Sequence, residues 1–474
     1  MINKRVARSQ RLAWLEGIRI LGVILLLIYH AQLLFTGYAY TPQPIGLTEN
    51  LEQLLAPVEN LSDRGLLFRF FSIPAWFGFQ FVDVFVLISG FCLVLSQKGK
   101  PLDIAGFLKR RVLRLLFPFW TIVWLSLPVL WAVGLAANLT IPNPWQMFAA
   151  ATFPLLTDFS GELLRANSHT WGFMPLILSF GLLSPLLRIL LLRWGTAHLL
   201  FITTVLTVGY RALAVYQFDG HPTYVLFDTS VGWYPFLLFP AKLSTFVLGM
   251  VVAHYYCKGR GPVFWQPEKA LLVGGAVYLI GFVCQFYRWG WVFADLLLPV
   301  GLSLCCMVGF RAIAQGQVAM AFNILGPYSY SYFLLSSLVA DYTIKLVIRD
   351  SPSLYTHWLP VMVLGTWAIA ILADYTLPSL RGLVIGLLQD MDYVLNRQPV
   401  VRHRNWTPQA GDRVCYQGKA GWQVIKVEKL LDEQEFFLCQ VSDGQRSLWV
   451  HEDNLELAGK SRSSPEVNND STVS

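Results

Sequence analysis

The chain has 474 residues, of which 55% are hydrophobic, 14% aromatic and only 14% charged. With a mean hydropathy of +0.50, these values exclude a large soluble enzyme and point to a polytopic membrane protein. The net charge of +7 gathers in short loops and the tail, so it reads as a topology signal rather than nucleic-acid affinity, and no nucleic-acid motif accompanies it.

Lys4, Arg5, Arg8 and Arg11 precede the first apolar run in the charge order of a signal peptide. That run, residues 12–35, is too long for a cleaved signal and has no convincing small-residue cleavage site, so it is expected to stay as the first span. It carries Arg19 and His30. An Arg near the middle of a spanning helix costs roughly 2.5–3.5 kcal/mol, so such residues usually face a protein interior or a wet cavity. Eleven helical residues make three turns plus about 20°, which puts Arg19 and His30 on one face roughly 16 Å apart. Glu16 lies near the same stripe. Two readings stand: Arg19 pairs with Glu16 at i,i+3 and His30 marks the outer interface, or the three belong to a polar track through the bundle.

Windows of about 20 apolar residues give ten expected spans, centred near Ile24, Phe85, Ile122, Gly181, Leu206, Leu248, Val277, Leu302, Leu335 and Ile369. The shorter run over residues 147–156 reads as re-entrant or interfacial. Basic residues cluster before span one and after spans two (Lys98, Lys100, Lys109, Arg110, Arg111), four (Arg188, Arg193), six (Lys258, Arg260, Lys269) and eight (Arg311). They recur in the tail at Arg397, Arg402 and Arg404. By the positive-inside rule both termini are then cytoplasmic, in a multi-pass protein of the plasma or inner membrane. Loops on the other side, residues 36–74 and 217–231 with Asp219, His221 and Asp228, are candidates for contact with an extracytoplasmic acceptor.

That topology sets depths. Arg19 lies in the inner half of span one and His30 near its outer end; Asp83 lies in the outer half of span two with Ser89 deeper; His169 and Trp171 lie at the outer mouth of span four. His30, Asp83 and His169 are therefore expected at similar depth. An imidazole there can take a proton from a hydroxyl and a carboxylate can orient it, which is acyl-transfer chemistry. On the inner side Arg110, Arg111 and Arg114 are spaced i,i+4 and i,i+3 and form a basic face suited to phosphate, although positive-inside anchoring explains part of that charge. The seven cysteines, Cys92, Cys257, Cys284, Cys305, Cys306, Cys415 and Cys439, show no metal-ligand or disulfide spacing, and no metal site is expected.

After about residue 400 the composition becomes soluble. Short alternating strands around Arg413-Val414, Gln423-Val424, residues 436–441 and 447–450 alternate with Gly and Asp turns. They read as a small β-barrel, followed from Lys460 by a Ser-, Asn- and Asp-rich tail.

Several blocks carry a resemblance. Leu15-Glu16-Gly17-Ile18-Arg19 through Tyr29-His30, the segment Phe81-Val82-Asp83 to Ser89-Gly90-Phe91, the basic block from Lys109 to Pro118 and Ser168-His169-Thr170-Trp171 resemble, in order, the motifs of the integral-membrane acyltransferase 3 family. The resemblance covers about residues 10–385, and the C-terminal strands resemble SH3-like or Tudor-like barrels. The family resemblance implies transfer of an acyl group, commonly acetyl from acetyl-CoA, to a hydroxyl of a carbohydrate or other cell-envelope acceptor, as in O-acetylation of polysaccharides. Carried over by position, His30 is the base, Asp83 supports it, and Arg19, Arg110, Arg111 and Arg114 handle the acyl-CoA donor. Glu16, Ser89, His169 and Trp171 are assigned to the substrate side. No permanently bound cofactor is implied. The chain departs from the family where Glu16 replaces an Asp, where no acid follows the His-x-Trp block, at Ser336 in place of a His, and at Thr376-Leu377-Pro378 in place of Glu-x-Pro.

The expected architecture is an all-α polytopic membrane protein of about ten transmembrane helices plus a small all-β C-terminal barrel. Its expected divisions are a transmembrane acyltransferase domain (1–395), a cytoplasmic barrel (396–459) that is a candidate docking module for a protein partner, and a disordered tail (460–474). The rival readings are a transporter or flippase, which predicts inverted repeats that the sequence does not display, and an inactive acyltransferase-like scaffold.

Overall fold

The computed structural model describes residues 12–36, 45–55, 78–97, 104–137, 143–158, 164, 168–218, 235–395, 409–416, 419–430, 436–445, 447–451 and 455–457. The amino-terminal basic cluster, most of the loops over residues 36–74 and 217–231, Lys98, Lys100, the tail arginines and the segment from Lys460 lie outside the described residues. The chain divides into two compact units, Met1–Gly386 and Leu387–Ser474.

The first unit is built of helices, as lipid demands: an apolar segment without water must satisfy its own backbone. In chain order these are α1 (Ala13–Thr36), α2 (Leu47–Leu55), α3 (Phe81–Ser96), α4 (Ile104–Ala137), α5 (Pro144–Thr152), α6 (Pro154–Thr157), α7 (Met174–Tyr216), α8 (Phe239–Cys257), α9 (Pro267–Cys284), α10 (Ala294–Ile313), α11 (Gly316–Leu325), α12 (Ser329–Thr343) and α13 (Pro352–Leu395). Among the described residues, seven helical stretches are long and apolar enough to cross a membrane. One of them, Trp171–Tyr216, contains two of the expected span centres, because its backbone breaks at Gly195 (φ +80°, ψ 171°), a conformation open to glycine. The two remaining expected centres fall on the 16-residue α3 and the 19-residue α8. Residues 147–156 form only α5 and the single turn α6; Asn143 caps α5 by accepting from the amides of Trp145 and Gln146.

The tightest crossing joins α3 to α8. A Cβ added at Gly90 would lie 2.1 Å from the carbonyl oxygen of Phe246, and one at Gly249 would lie 2.0 Å from that of Leu87. Two glycines thus let the backbones touch, the small-residue packing that helices use where the hydrophobic effect supplies no drive between them. The α1–α3 pair is antiparallel, with Arg19 beside Cys92, Gly22 beside Phe81 and Phe85, and Tyr29 beside Gly78. Helix α12 runs parallel to α1: Gly326, just before it, abuts Glu16, and Tyr355, after it, hydrogen-bonds Gln32. Helix α1 therefore serves as a depth scale for its neighbours.

The second unit holds a five-stranded antiparallel sheet in the order β4-β3-β2-β1-β5, with β1 Arg413–Tyr416, β2 Lys419–Leu430, β3 Phe436–Ser442, β4 Ser447–His451 and β5 Leu455–Leu457. Period-2 alternation gives it one apolar face, packed as Val414, Trp422, Val424, Cys439, Val441, Val450 and Leu455. The β3–β4 turn uses Gly444 at φ +86°, with the Gln445 amide donating to Asp443 at 3.0 Å.

Candidate active site

The residues that motivated the sequence reading gather at two depths of the α1 scale. At the lower depth, the Arg19 guanidinium donates to both Glu16 carboxylate oxygens at 3.0 and 3.1 Å and to the Cys92 sulfur at 3.1 Å. The local pairing is thus real, yet it does not exhaust Arg19, whose side chain remains 29% exposed and lines a cavity of about 680 Å³. The same cavity is lined by Arg110, Arg111 and Arg114 from α4 and by Arg188 from α7. Arg111 donates to Ser89 Oγ at 3.0 Å, and Arg188 to Gln97 Oε1 at 2.8 Å. Asp374 is the single carboxylate among the described lining residues, and it accepts from Ser331 Oγ. Five guanidinium groups against two carboxylates, Asp374 and the Glu16 paired with Arg19, leave this end electropositive, and planar forked donors match phosphate oxygens pairwise.

Away from the arginines the lining turns apolar, with Val23, Val82, Phe85, Phe173 and Phe333. The cavity thus offers a charged mouth and an oily end, the polarity of an amphipathic ligand.

At the upper depth His30, 4% exposed, faces His169 with ring centroids 5.5 Å apart. The loop carrying His169 is fixed by short polar contacts: Ser168 Oγ lies 2.6 Å and Thr170 Oγ1 3.2 Å from Ser337 Oγ of α12. Trp171, fully buried, donates its indole N–H to the Leu334 carbonyl at 2.8 Å. It therefore holds the loop in place and offers no face to an acceptor, whereas His169 remains partly accessible.

Asp83 does not join the His pair at that depth. The antiparallel α1–α3 crossing sets Phe81 and Phe85 beside Gly22, so Asp83, between them, lies about 12 Å deeper than His30 at helical rise. Its Oδ1 accepts from Lys242 Nζ at 2.5 Å; Lys242 also reaches Asp295 at 3.5 Å, and Asp295 pairs with Arg211 at 2.9 Å. Arg211 further donates to the carbonyls of Val292 at 2.9 Å and Trp291. All four side chains are buried, and their formal charges cancel. A carboxylate within a span needs a partner, and the partner is on α8. The sequence reading does not find Lys242, Arg211 or Asp295, although each is a charge in an expected span and the same cost argument applies to it. Nor does it place Arg188 with Arg19, Arg110, Arg111 and Arg114, since that residue reads as a topology marker.

The family profile described as an acyltransferase domain matches residues 12–375. The chain belongs to the acyltransferase 3 family. It is a membrane O-acyltransferase, and the first, second and third family blocks, on α1, α3 and α4, converge on one cavity. No curated protein and no solved structure matches it. The departures from the acyltransferase 3 pattern are quietly satisfied: Ser336 turns its hydroxyl onto the Phe333 carbonyl at 2.9 Å, and Thr376 does the same to Ala373 at 2.8 Å. Glu16 takes the place of the family's Asp and keeps a carboxylate on Arg19.

Proposed function

We propose that the electropositive cavity receives acyl-CoA, with acetyl the expected acyl group, and that the protein passes that group to a hydroxyl of a carbohydrate or other cell-envelope acceptor. Arg19, Arg110, Arg111, Arg114 and Arg188 take the donor phosphates, and the thinner arm runs along α1 toward His30. The acceptor O–H gives its proton to His30 while its oxygen attacks the thioester carbonyl; the C–S bond breaks, and the imidazolium returns the proton to the departing thiolate. His169 beside it helps to seat the acceptor. Asp83 acts at one remove, through the charge network that fixes α3 against α8.

The observation that carries this reading is the common helix: α1 presents Arg19 to a cavity ringed by guanidinium groups and, eleven residues on, His30 to a second imidazole. The basic exits of the even-numbered spans favour a cytoplasmic donor side and cytoplasmic termini, so the acyl group crosses the bilayer to an outside acceptor. On that orientation the C-terminal sheet is a cytoplasmic appendix suited to a protein partner.

The test uses purified full-length protein with acetyl-CoA. Saturable binding competed by CoA, with release of free thiol, is the expected result. Absence of binding at millimolar donor would overturn the reading.

A further inference from the structure

Three phenylalanines stand where the cavity ends. On α1 the lining reaches Val23, and His30 lies seven residues beyond, about 10 Å at helical rise. Ahead of α7, Phe173 lines the cavity and His169 comes four residues earlier in the chain. On α12, Phe333 lines the cavity, while Ser337, one turn on, is bonded to both neighbours of His169. On α3, Phe85 packs beside Gly22 of α1, next to Val23, so α3, the turn ahead of α7 and α12 put Phe85, Phe173 and Phe333 between the guanidinium groups and the imidazoles. Phe333 meets Phe85 edge-on, with centroids 6.4 Å apart and planes at 80°, and Phe173 at 6.1 Å and 58°. Phe333 and Phe173 are only 7% and 8% exposed, so the rings fill the space they occupy.

We propose that Phe85, Phe173 and Phe333 form an aromatic gate that admits a short acyl group to the His30–His169 pair and turns back longer chains. The inference rests on the reading that the cavity takes acyl-CoA. The acyl group leads the arm between the rings, so a two-carbon group passes with a small ring rotation, whereas a six-carbon chain must hold them apart over its whole length before the thioester reaches His30. The same rings form a dry seal, which keeps water from the thioester.

The experiment compares wild type, Phe333→Ala and Phe333→Leu as purified full-length protein, with thiol release from acetyl-CoA and hexanoyl-CoA as readout and CoA affinity as control. Opening the gate should raise the hexanoyl-to-acetyl ratio of kcat/KM by about tenfold or more in Phe333→Ala. Phe333→Leu should fall between it and wild type, with the ratio read at the CoA affinity measured for each variant. Wild-type ratios in folded variants that bind CoA would overturn the gate and leave the donor site standing. Failure of wild type to bind CoA would overturn the donor reading itself. Should Phe333→Ala not fold, Phe333→Leu and Phe85→Leu carry the same comparison.

Discussion

The buried charge network makes the sharpest energetic prediction. Lys242 Nζ stands 2.5 Å from Asp83 and 3.5 Å from Asp295. At an effective dielectric of about 20, those separations correspond to gross attractions of about 7 and about 5 kcal/mol. Most of that offsets the cost of taking the ammonium out of water, and measured losses on breaking one buried pair are about 3–5 kcal/mol. Lys242→Met removes both attractions and leaves one uncompensated negative charge. It should lower the thermal unfolding midpoint in detergent sharply, or abolish recovery of monodisperse protein. Adding Asp83→Asn restores neutrality, because Arg211 and Asp295 still pair at 2.9 Å. The double variant should therefore recover at least half of the lost stability, and replacing a buried pair outright is often neutral. Size-exclusion recovery and unfolding midpoints of wild type, both single variants and the double variant measure this directly. A double variant no more stable than Lys242→Met would refute the charge-balance argument. If Asp83 acts only through this network, the rescued protein also keeps a substantial part of its thiol-release activity.

Other consequences follow from the same geometry. On the proposed donor site, Arg111→Gln and Arg114→Gln should raise the KM for acetyl-CoA with little change in kcat, checked by thiol-release kinetics, because a phosphate contact remote from the thioester would be the same in ground and transition states; a fall in kcat at constant KM would contradict this. Gly249→Ala forces a methyl group against the Leu87 carbonyl and should cost about 1–3 kcal/mol or more, since backbone yields less than side chains. Gly365→Ala, with no atom within 4 Å, should be neutral or stabilising in the same unfolding assay. Trp422→Ala removes the largest side chain of the β-sheet core and should cost the second unit about 3–5 kcal/mol, seen as early proteolysis of the C-terminal segment.

Much of the first unit was legible in the sequence because lipid leaves few options: an apolar stretch of sufficient length must be a helix, and every expected span centre lies on one. The placement of Arg19, Arg110, Arg111 and Arg114 around one cavity follows from helical spacing plus the alternation of loop charge. The approach of His30 to His169 follows from that same alternation, which sets both at one depth. What periodicity does not contain is which helix lies against which. Asp83 was expected near His30; it meets Lys242 because two glycines bring α3 onto α8, and nothing in either segment alone announces that crossing. The phenylalanine cluster is hidden for the same reason, since Phe85, Phe173 and Phe333 read singly as ordinary apolar residues of three distant segments.

The central claim, that His30 is the base at the end of a donor channel beginning at Arg19, is tested most directly by comparing wild type with His30→Ala for CoA affinity and thiol release from acetyl-CoA. Loss of a general base should slow release by about 10²–10⁴-fold while CoA binding stays unchanged. Equal rates of thiol release in the two proteins would contradict the account.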